Sequence, residues 1–346
     1  FGTAGNDTLD GAAGNDDTAN YSAFTTSVTL SALGVLNKGT ALGTDTLIGI
    51  ERIIGSASSL TDTIDLSGTT APATGTVTNL TTGSVAINGS AGVLVVNGTP
   101  LSFAISQFEN VLGSNFADSI TGNALANTLN GGLGNDTLNG GDGIDTASYA
   151  DAPGPVTVSL TSGTASGAAG NDTLISIENI LGGGFADSLT GNALANNLNG
   201  GGGNDFISAE AGSDFITGNG GKDTMLGGAD NNPDTFIFNS LSDSLLALFD
   251  VIGDYTSFDI LDRPGALATT LNSSNGTAAG LSAPQISAIL NNFSFTANSS
   301  RAFTAIGFSG TFVAFNDDVA GFSEFTDSII HLPSFNIGPT NTISIA

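Results

Sequence analysis

Apolar and polar positions along this chain follow two rhythms. In the stronger one, single apolar residues stand isolated among Gly, Asn, Thr and Asp and return every nine positions, as Ile207 and Ile216 do. The unit reads Gly-Gly-x-Gly-x-Asp-x-apolar-x. It is clearest in Gly131-Gly132-Leu133-Gly134-Asn135-Asp136-Thr137-Leu138-Asn139 and again in Gly140-Gly141-Asp142-Gly143-Ile144-Asp145. Asp205, Asp214 and Asp223 keep the same step, preceded by Gly200 to Gly203, by Gly212, and by Gly220 with Gly221. Such a unit divides into a six-residue turn and a three-residue strand whose middle side chain points into a narrow core. Two units close one coil, so residues eighteen apart lie above one another, about 4.8 Å up the stack. Asp187, Asp205 and Asp223 are expected along one edge, with Asn196 and Asp214 along the other. Asp118 pairs in the same way with Asp136, and Asn127 with Asp145.

A longer repeat overlies the short one. Glu109-Asn110-Val111-Leu112-Gly113 returns as Glu178-Asn179-Ile180-Leu181-Gly182, and the same offset of 69 relates Asp118 to Asp187 and Asp136 to Asp205. A degenerate copy holds Asp17-Thr18-Ala19-Asn20-Tyr21, matching Asp145-Thr146-Ala147-Ser148-Tyr149. Duplicated modules are therefore expected at about 1–65, 109–150 and 178–238, with strand-patterned excursions at 27–33 and 156–160. Residues 66–108 lack the nine-residue beat. They read as short strands, at 84–87 and 93–96, between Asn-Gly turns, and belong to the same β-body.

The second rhythm begins after Phe238, where glycine thins and phenylalanine accumulates. Ser282-Ala283-Pro284-Gln285 is a capping-box opening and predicts a helix presenting Ile286, Ile289, Leu290 and Phe293 on one face. Strands are predicted at 303–308, 311–315, 328–332 and 342–345. The expected fold is all-β: a right-handed parallel β-roll, or β-solenoid, over 1–238, followed by a smaller α+β cap over 239–346. The roll is expected to end near Gly227 to Asp234, where two extra residues interrupt the beat.

Composition changes this picture through charge. The chain of 346 residues has 32 Asp and Glu against five Lys and Arg, a formal net charge of −27, with 49 Gly, one His and no Cys. A chain so acidic repels nucleic acid and anionic membrane surfaces. Absence of cysteine removes disulfides and Cys-based zinc sites, and no apolar run reaches the roughly 20 residues of a membrane helix. No secretory signal is visible. The chain opens at Phe1 without Met, so a preceding segment, or stacking of the first coil on another molecule, is expected. Aspartates stacked one coil apart repel unless a cation lies between them. A hard divalent ion taking six to eight oxygens suits what such turns present, carboxylates and carbonyls, and calcium suits it better than magnesium. A soft-metal site has no support from one His and no Cys.

These residues resemble the RTX (repeats-in-toxin) family, whose nonapeptide forms a calcium-binding parallel β-roll. The resemblance implies several Ca²⁺ ions, each bridging turns eighteen residues apart. It implies ligation by Asp136, Asp145, Asp205, Asp214 and Asp223, with backbone carbonyls of Gly132, Gly134, Gly141, Gly143, Gly201, Gly203, Gly212 and Gly221. Asp118, Asp187, Asp234, Asp7 and Asp16 extend the candidate set, as do Asn127 and Asn196. Asn127 and Asn196 replace Asp, and Leu125 and Leu194 replace the fourth-position glycine, so those turns bind weakly or not at all. Weak copies around Asp7, Asp16, Asp62 and Asp172 read equally as ordinary Asx turns. The run Asp234-Thr235-Phe236-Ile237-Phe238, then Ser242-Asp243-Ser244 and Asp250-Val251-Ile252-Gly253-Asp254, resembles the exit from the roll in RTX metalloproteases. The run from Phe312 to Asp318, with Gly321-Phe322 and Asp327, resembles the bluetail domain of cyanobacterial surface proteins.

No His-Glu-x-x-His, Gly-x-Ser-x-Gly or P-loop occurs, His331 reads as structural within a strand, and no enzyme is expected in these residues. Asp317, Asp318, Glu324 and Asp327 read as a solvated acidic loop, ahead of one more calcium site. The sequence points to a secreted, calcium-stabilised and self-assembling structural protein of the cell surface or extracellular matrix, and the RTX resemblance implies export by type I secretion. Two alternatives stay open: an adhesin or binder of surface polysaccharide, and the carrier half of a secreted hydrolase or toxin.

Overall fold

Strands of three residues arise because each has room for one inward side chain. In the computed structural model, Thr137–Asn139 buries Leu138 completely between two partly exposed neighbours. The structure describes residues 5–10, 18–21, 23–24, 28–31, 35–38, 42–48, 52–54, 62–65, 76–79, 84–87, 95–96, 99–100, 102–106, 109–244, 249–262, 269–271, 277–278, 300–305, 308–315, 328–335 and 343–345. The chain forms two units, residues 1–153 with 163–177, and residues 154–162 with 178–346.

In the second unit two parallel ladders climb side by side. One contains Asn179–Leu181, Asn197–Gly202, Phe215–Gly220, Thr235–Ile237, Ile260–Asp262 and Ile343–Ile345. The other contains Val156–Ser159, Ser188–Asn192, Phe206–Glu210, Thr224–Leu226, Asp250–Ile252 and Ser328–Leu332. Ser188 pairs with Phe206 and Phe206 with Thr224, the eighteen-residue register of a two-turn coil. Leu189, Ile207, Met225 and Ile252 stack in one column, and Leu198, Ile216, Phe236 and Leu261 in the other, all fully buried. Each such side chain contributes about 2 kcal/mol of burial, so the core is a sum of single-residue layers.

The first unit has two ladders of the same kind, one through Thr63–Asp65, Asn110–Leu112, Thr128–Asn130 and Thr146–Ser148, the other through Thr76–Asn79, Ser119–Thr121, Thr137–Asn139 and Gly170–Ile175. Excursions from the coil are antiparallel hairpins whose last strand re-enters a ladder. Thr164–Gly167 pairs antiparallel with Gly170–Ile175, which then lies parallel to Thr137–Asn139. Val35–Asn37 does the same with Thr44–Ile48, which lies parallel to Thr8–Asp10. Strands Thr76–Asn79, Ser84–Ile87 and Ser102–Ser106 form an antiparallel meander joined in parallel to the coil at both ends, while Val95–Val96 pairs with Thr99–Pro100.

The parallel ladder does not stop near Asp234. Thr235 pairs with Ile260, and Asp250 with Ile330, so coils continue past the composition change at Phe238. Connections of unequal length replace the nine-residue spacing there, while Phe236 and Leu261 in one column and Ile252 and Leu332 in the other keep the inward positions apolar. Beyond it, Ser300–Ala305, Thr311–Phe315 and Ser328–Leu332 form an antiparallel sheet, and all five residues of Thr311–Phe315 are buried. Among the described residues the helical content is one 3₁₀ turn, Leu241–Ser244, and no helix is long and apolar enough to cross a membrane. The helix expected after Ser282 and the acidic loop from Asp317 to Asp327 lie outside the described residues. His331 sits in the Ser328–Leu332 strand, its ring stacked on Phe312 at 4.2 Å and its Nε2 2.8 Å from the Ser309 carbonyl oxygen.

Candidate metal centre

The turns place a carboxylate ladder along each edge of the coil. Each rung aspartate donates its backbone N–H to the Oδ1 of the aspartate one coil further on. Asp187, Asp205, Asp223 and Asp250 are linked in this way at 2.8 Å per step. Asn196, Asp214, Asp234 and Asp259 form the second row. In the first unit Asp118 donates to Asp136 and Asp136 to Asp172, while Asn127 donates to Asp145. Asp62 accepts the Val28 amide. Rung carboxylates are thus held by one oxygen and buried, and what their second oxygen does divides the turns into two kinds.

In closed turns the second residue of the unit turns its amide onto the side chain four residues later. Ser114 donates to Asp118, Asn123 to Asn127, Gly183 to Asp187 and Asn192 to Asn196, all within 2.8 Å. Asn127 and Asn196 complete their hydrogen bonding by donating Nδ2 to the Glu109 and Glu178 carbonyl oxygens. These turns carry Phe116, Leu125, Phe185 or Leu194 at the fourth position.

In open turns the second residue has a positive φ, which turns its amide away. The angle is +86° at Gly132, +96° at Gly141 and +92° at Gly201. Glu210 (+77°) and Asn219 (+63°) adopt it as well, a conformation that non-glycine residues seldom hold. The fourth position is then a glycine of φ near +130° to +150°: Gly134, Gly143, Gly203, Gly212 and Gly221. The consequence is chemical. In these turns Oδ2 of Asp136, Asp205, Asp214 and Asp223 is buried and has no hydrogen-bond partner, and Oδ2 of Asp250, a rung of the same row, is buried and unpartnered as well. A first-position glycine lies against this oxygen: a Cβ on Gly131, Gly200 or Gly218 would overlap Oδ2 of Asp136, Asp205 or Asp223.

Burial raises these carboxyls above their ordinary range, to about 7 at Asp136 and Asp205 and about 6 at Asp214 and Asp223, against the opposing hydrogen bond from the neighbouring amide. Asp234 is raised to about 7 and Asp250 to about 9, again chiefly by burial. A buried carboxylate oxygen without a donor is costly unless a cation meets it. Among the described residues no three His, Cys, Asp or Glu side chains converge, so an ion here draws most of its ligands from turn carbonyls. Oxygen-only donors with few formal charges fit Ca²⁺, which accepts irregular shells of six to eight oxygens.

The candidate residues fall unequally. Asp136, Asp205, Asp214 and Asp223 lie in open turns, as does Asp145 with Gly141 and Gly143, and Asp234 is a buried rung. Asp118, Asp187, Asn127 and Asn196 lie in closed turns, a distinction the sequence pattern marked at the asparagines through Leu125 and Leu194 but not at Asp118 or Asp187. Asp7 is a rung whose partners differ, while Asp16 lies outside the described residues. Asp172, read from the sequence as a weak copy or an ordinary Asx turn, is a rung, and Asp250 and Asp259 are rungs that were not among the candidates. They follow their predecessors by 36, 27 and 25 residues, and the surviving local signal is Asp followed by a residue pair that enters a strand.

Comparison with known families bears directly on these turns. Residues 1–17, 112–147, 177–207 and 199–232 match the family model of the RTX calcium-binding nonapeptide repeat, in four copies. Among curated proteins, no match is found. The open turns of Asp136, Asp145, Asp205, Asp214 and Asp223 all lie within matched segments, and over those segments the chain matches the RTX calcium-binding nonapeptide repeat.

Proposed function

We propose that the chain is a secreted calcium-binding structural protein of the cell surface or extracellular matrix, in which Ca²⁺ completes the open turns and so fixes the coil. The observation that carries this reading is the set of buried, partnerless Oδ2 atoms at Asp136, Asp205, Asp214, Asp223 and Asp250. These residues and Asp145, with carbonyls of the turn glycines, would hold the ions. The ion would supply charge neutralisation between coils; the chain's own residues supply the register and exclude water from the carboxylates.

The extracellular placement rests on affinity. Sites built mainly of neutral carbonyls with one or two carboxylates bind calcium weakly, in a range of roughly 10⁻⁴ to 10⁻³ M typical of extracellular modules. Such turns fill where calcium is abundant and stay empty in the cytosol, which keeps an exported chain unfolded until it emerges. The test is far-ultraviolet circular dichroism with calcium, with magnesium and with EGTA. Calcium-specific β-signal supports the reading, and a spectrum indifferent to EGTA refutes it.

A further inference from the structure

The two excursion modules of the first unit provide an internal comparison. Asp7 and Asp45 stand to one another as Asp136 stands to Asp172. Asp7 donates its amide to Asp45 Oδ1 at 3.1 Å, and Asp136 to Asp172 Oδ1 at 3.0 Å. Thr46 donates to the Asp7 carbonyl and Thr173 to the Asp136 carbonyl, both at 2.8 Å. Asn6 Oδ1 accepts from Thr44 and Asn135 Oδ1 from Asn171. Gly5 donates to Leu42 and Gly134 to Ala169. Even the tyrosine clamp is duplicated: Tyr21 donates its hydroxyl to Asp45 Oδ2 at 2.9 Å, and Tyr149 to Asp172 Oδ2 at 3.0 Å.

One feature separates the two copies. Oδ2 of Asp136 has no partner, whereas Oδ2 of Asp7 receives the Lys38 ammonium at 3.3 Å. Lys38 is fully buried, is also paired with Asp45, and lies 5.9 Å from the centre of the Phe24 ring. The hairpin registers align Leu36 opposite Asp45 with Ala165 opposite Asp172, which sets Lys38 at the place of Gly167. The second copy therefore has two carboxylates and no side-chain cation, while the first has two carboxylates and one.

We infer that Lys38 is a tethered cation that takes the place of Ca²⁺ at the Asp7–Asp45 turns, so that this module folds without calcium while the open turns need it. The inference rests on the calcium reading above. A lysine on the hairpin supplies one positive charge and up to three donors at no loss of free-ion entropy. It also fills the space an ion would use, so the first module binds none. Its consequence is a coil segment that keeps its structure in low calcium.

Amide hydrogen exchange on the full wild-type chain tests this, with calcium and with EGTA. In EGTA the amides of Asp7 and Thr46 keep their protection, while those of Asp187 and Asp205 exchange at least about tenfold faster than in calcium. Equal loss of protection at both places overturns the role of Lys38 and leaves the calcium reading standing. No loss at either place removes the calcium reading and this inference with it. A variant, Lys38→Met, keeps the stem and deletes the charge. Titration calorimetry is expected to count one more Ca²⁺ per chain than in wild type, with Asp7 and Thr46 now protected only in calcium. An unchanged count overturns the proposal.

Discussion

Replacing Asp205 by Asn separates the charge of the rung from its hydrogen bond. The amide oxygen of the substituted side chain can still accept from Asp187, as Asp205 Oδ1 does at 2.8 Å, and Asn127 and Asn196 show that a rung asparagine can settle its Nδ2 on a carbonyl one coil back. What is lost is the orphaned, charged Oδ2. In excess calcium the variant forgoes a ligand: a site held at 100-fold over its Kd contributes about 2.7 kcal/mol by linkage, so a loss of about 3 kcal/mol is expected. In EGTA at pH 8 the sign reverses. Raising the Asp205 carboxyl from 3.8 to about 7 is equivalent to an upper limit of roughly 4 kcal/mol against the charged, metal-free fold, and water entry reduces this to about half. Asp205→Asn is therefore expected to stabilise the metal-free protein by ~2 kcal/mol. Thermal melts of both proteins in calcium and in EGTA read the two effects, with residual β-signal as the readout where EGTA leaves no transition. Destabilisation in both conditions would refute the argument, because it would mean that Oδ2 acts through protein contacts rather than through an ion.

Three further outcomes follow from the turns. Gly221→Ala places a Cβ inside the Gly203 carbonyl oxygen at φ +149°, whereas Gly220→Ala meets nothing within 4 Å; the first is expected to lose more than about 4 kcal/mol and the second under about 1 kcal/mol in urea titrations. Tyr149→Phe removes the hydroxyl held by Asp172 Oδ2 and is expected to lose about 1–3 kcal/mol, since it leaves a buried carboxylate oxygen unmet. The metal-free fold should be most stable in mild acid: carboxyls raised to about 6 at Asp214 and Asp223 and about 7 at Asp136 and Asp205 bind protons more tightly folded than unfolded. Their contribution is complete below the unfolded value near 4 and is lost as pH rises through 6 to 7, so the melting temperature in EGTA falls from pH 5 to pH 8, while calcium affinity rises over the same range.

Much of this architecture could be read from spacing. A nine-residue period with one apolar residue per unit leaves little alternative to a two-turn coil, and Ile207 over Leu189 and Ile216 over Leu198 follow from counting eighteen. Counting fails where a rung returns after an excursion. Asp172 reaches Asp136 only because the Thr164–Gly167 hairpin folds back on itself, and Asp250 reaches Asp223 across a loop of a different composition. Composition also suggested an end to the ladder at Phe238, but a parallel strand requires one inward apolar residue and a register, and Ile252 and Leu261 satisfy both. The split between open and closed turns was legible only in part. It depends on the φ of the second residue, and Gly183, free to adopt either sign, sits in a closed turn and gives its amide to Asp187. Lys38 was invisible for a different reason: it lies 31 residues from Asp7, and no local motif marks it.

Whether the orphaned Oδ2 atoms are calcium ligands is measured most directly by an anomalous difference map from crystals of the full chain grown in calcium. Peaks are expected beside Oδ2 of Asp136, Asp205, Asp214 and Asp223, and none between Asp7 and Asp45. A map without peaks at those four carboxylates, from crystals saturated with calcium, would contradict that assignment.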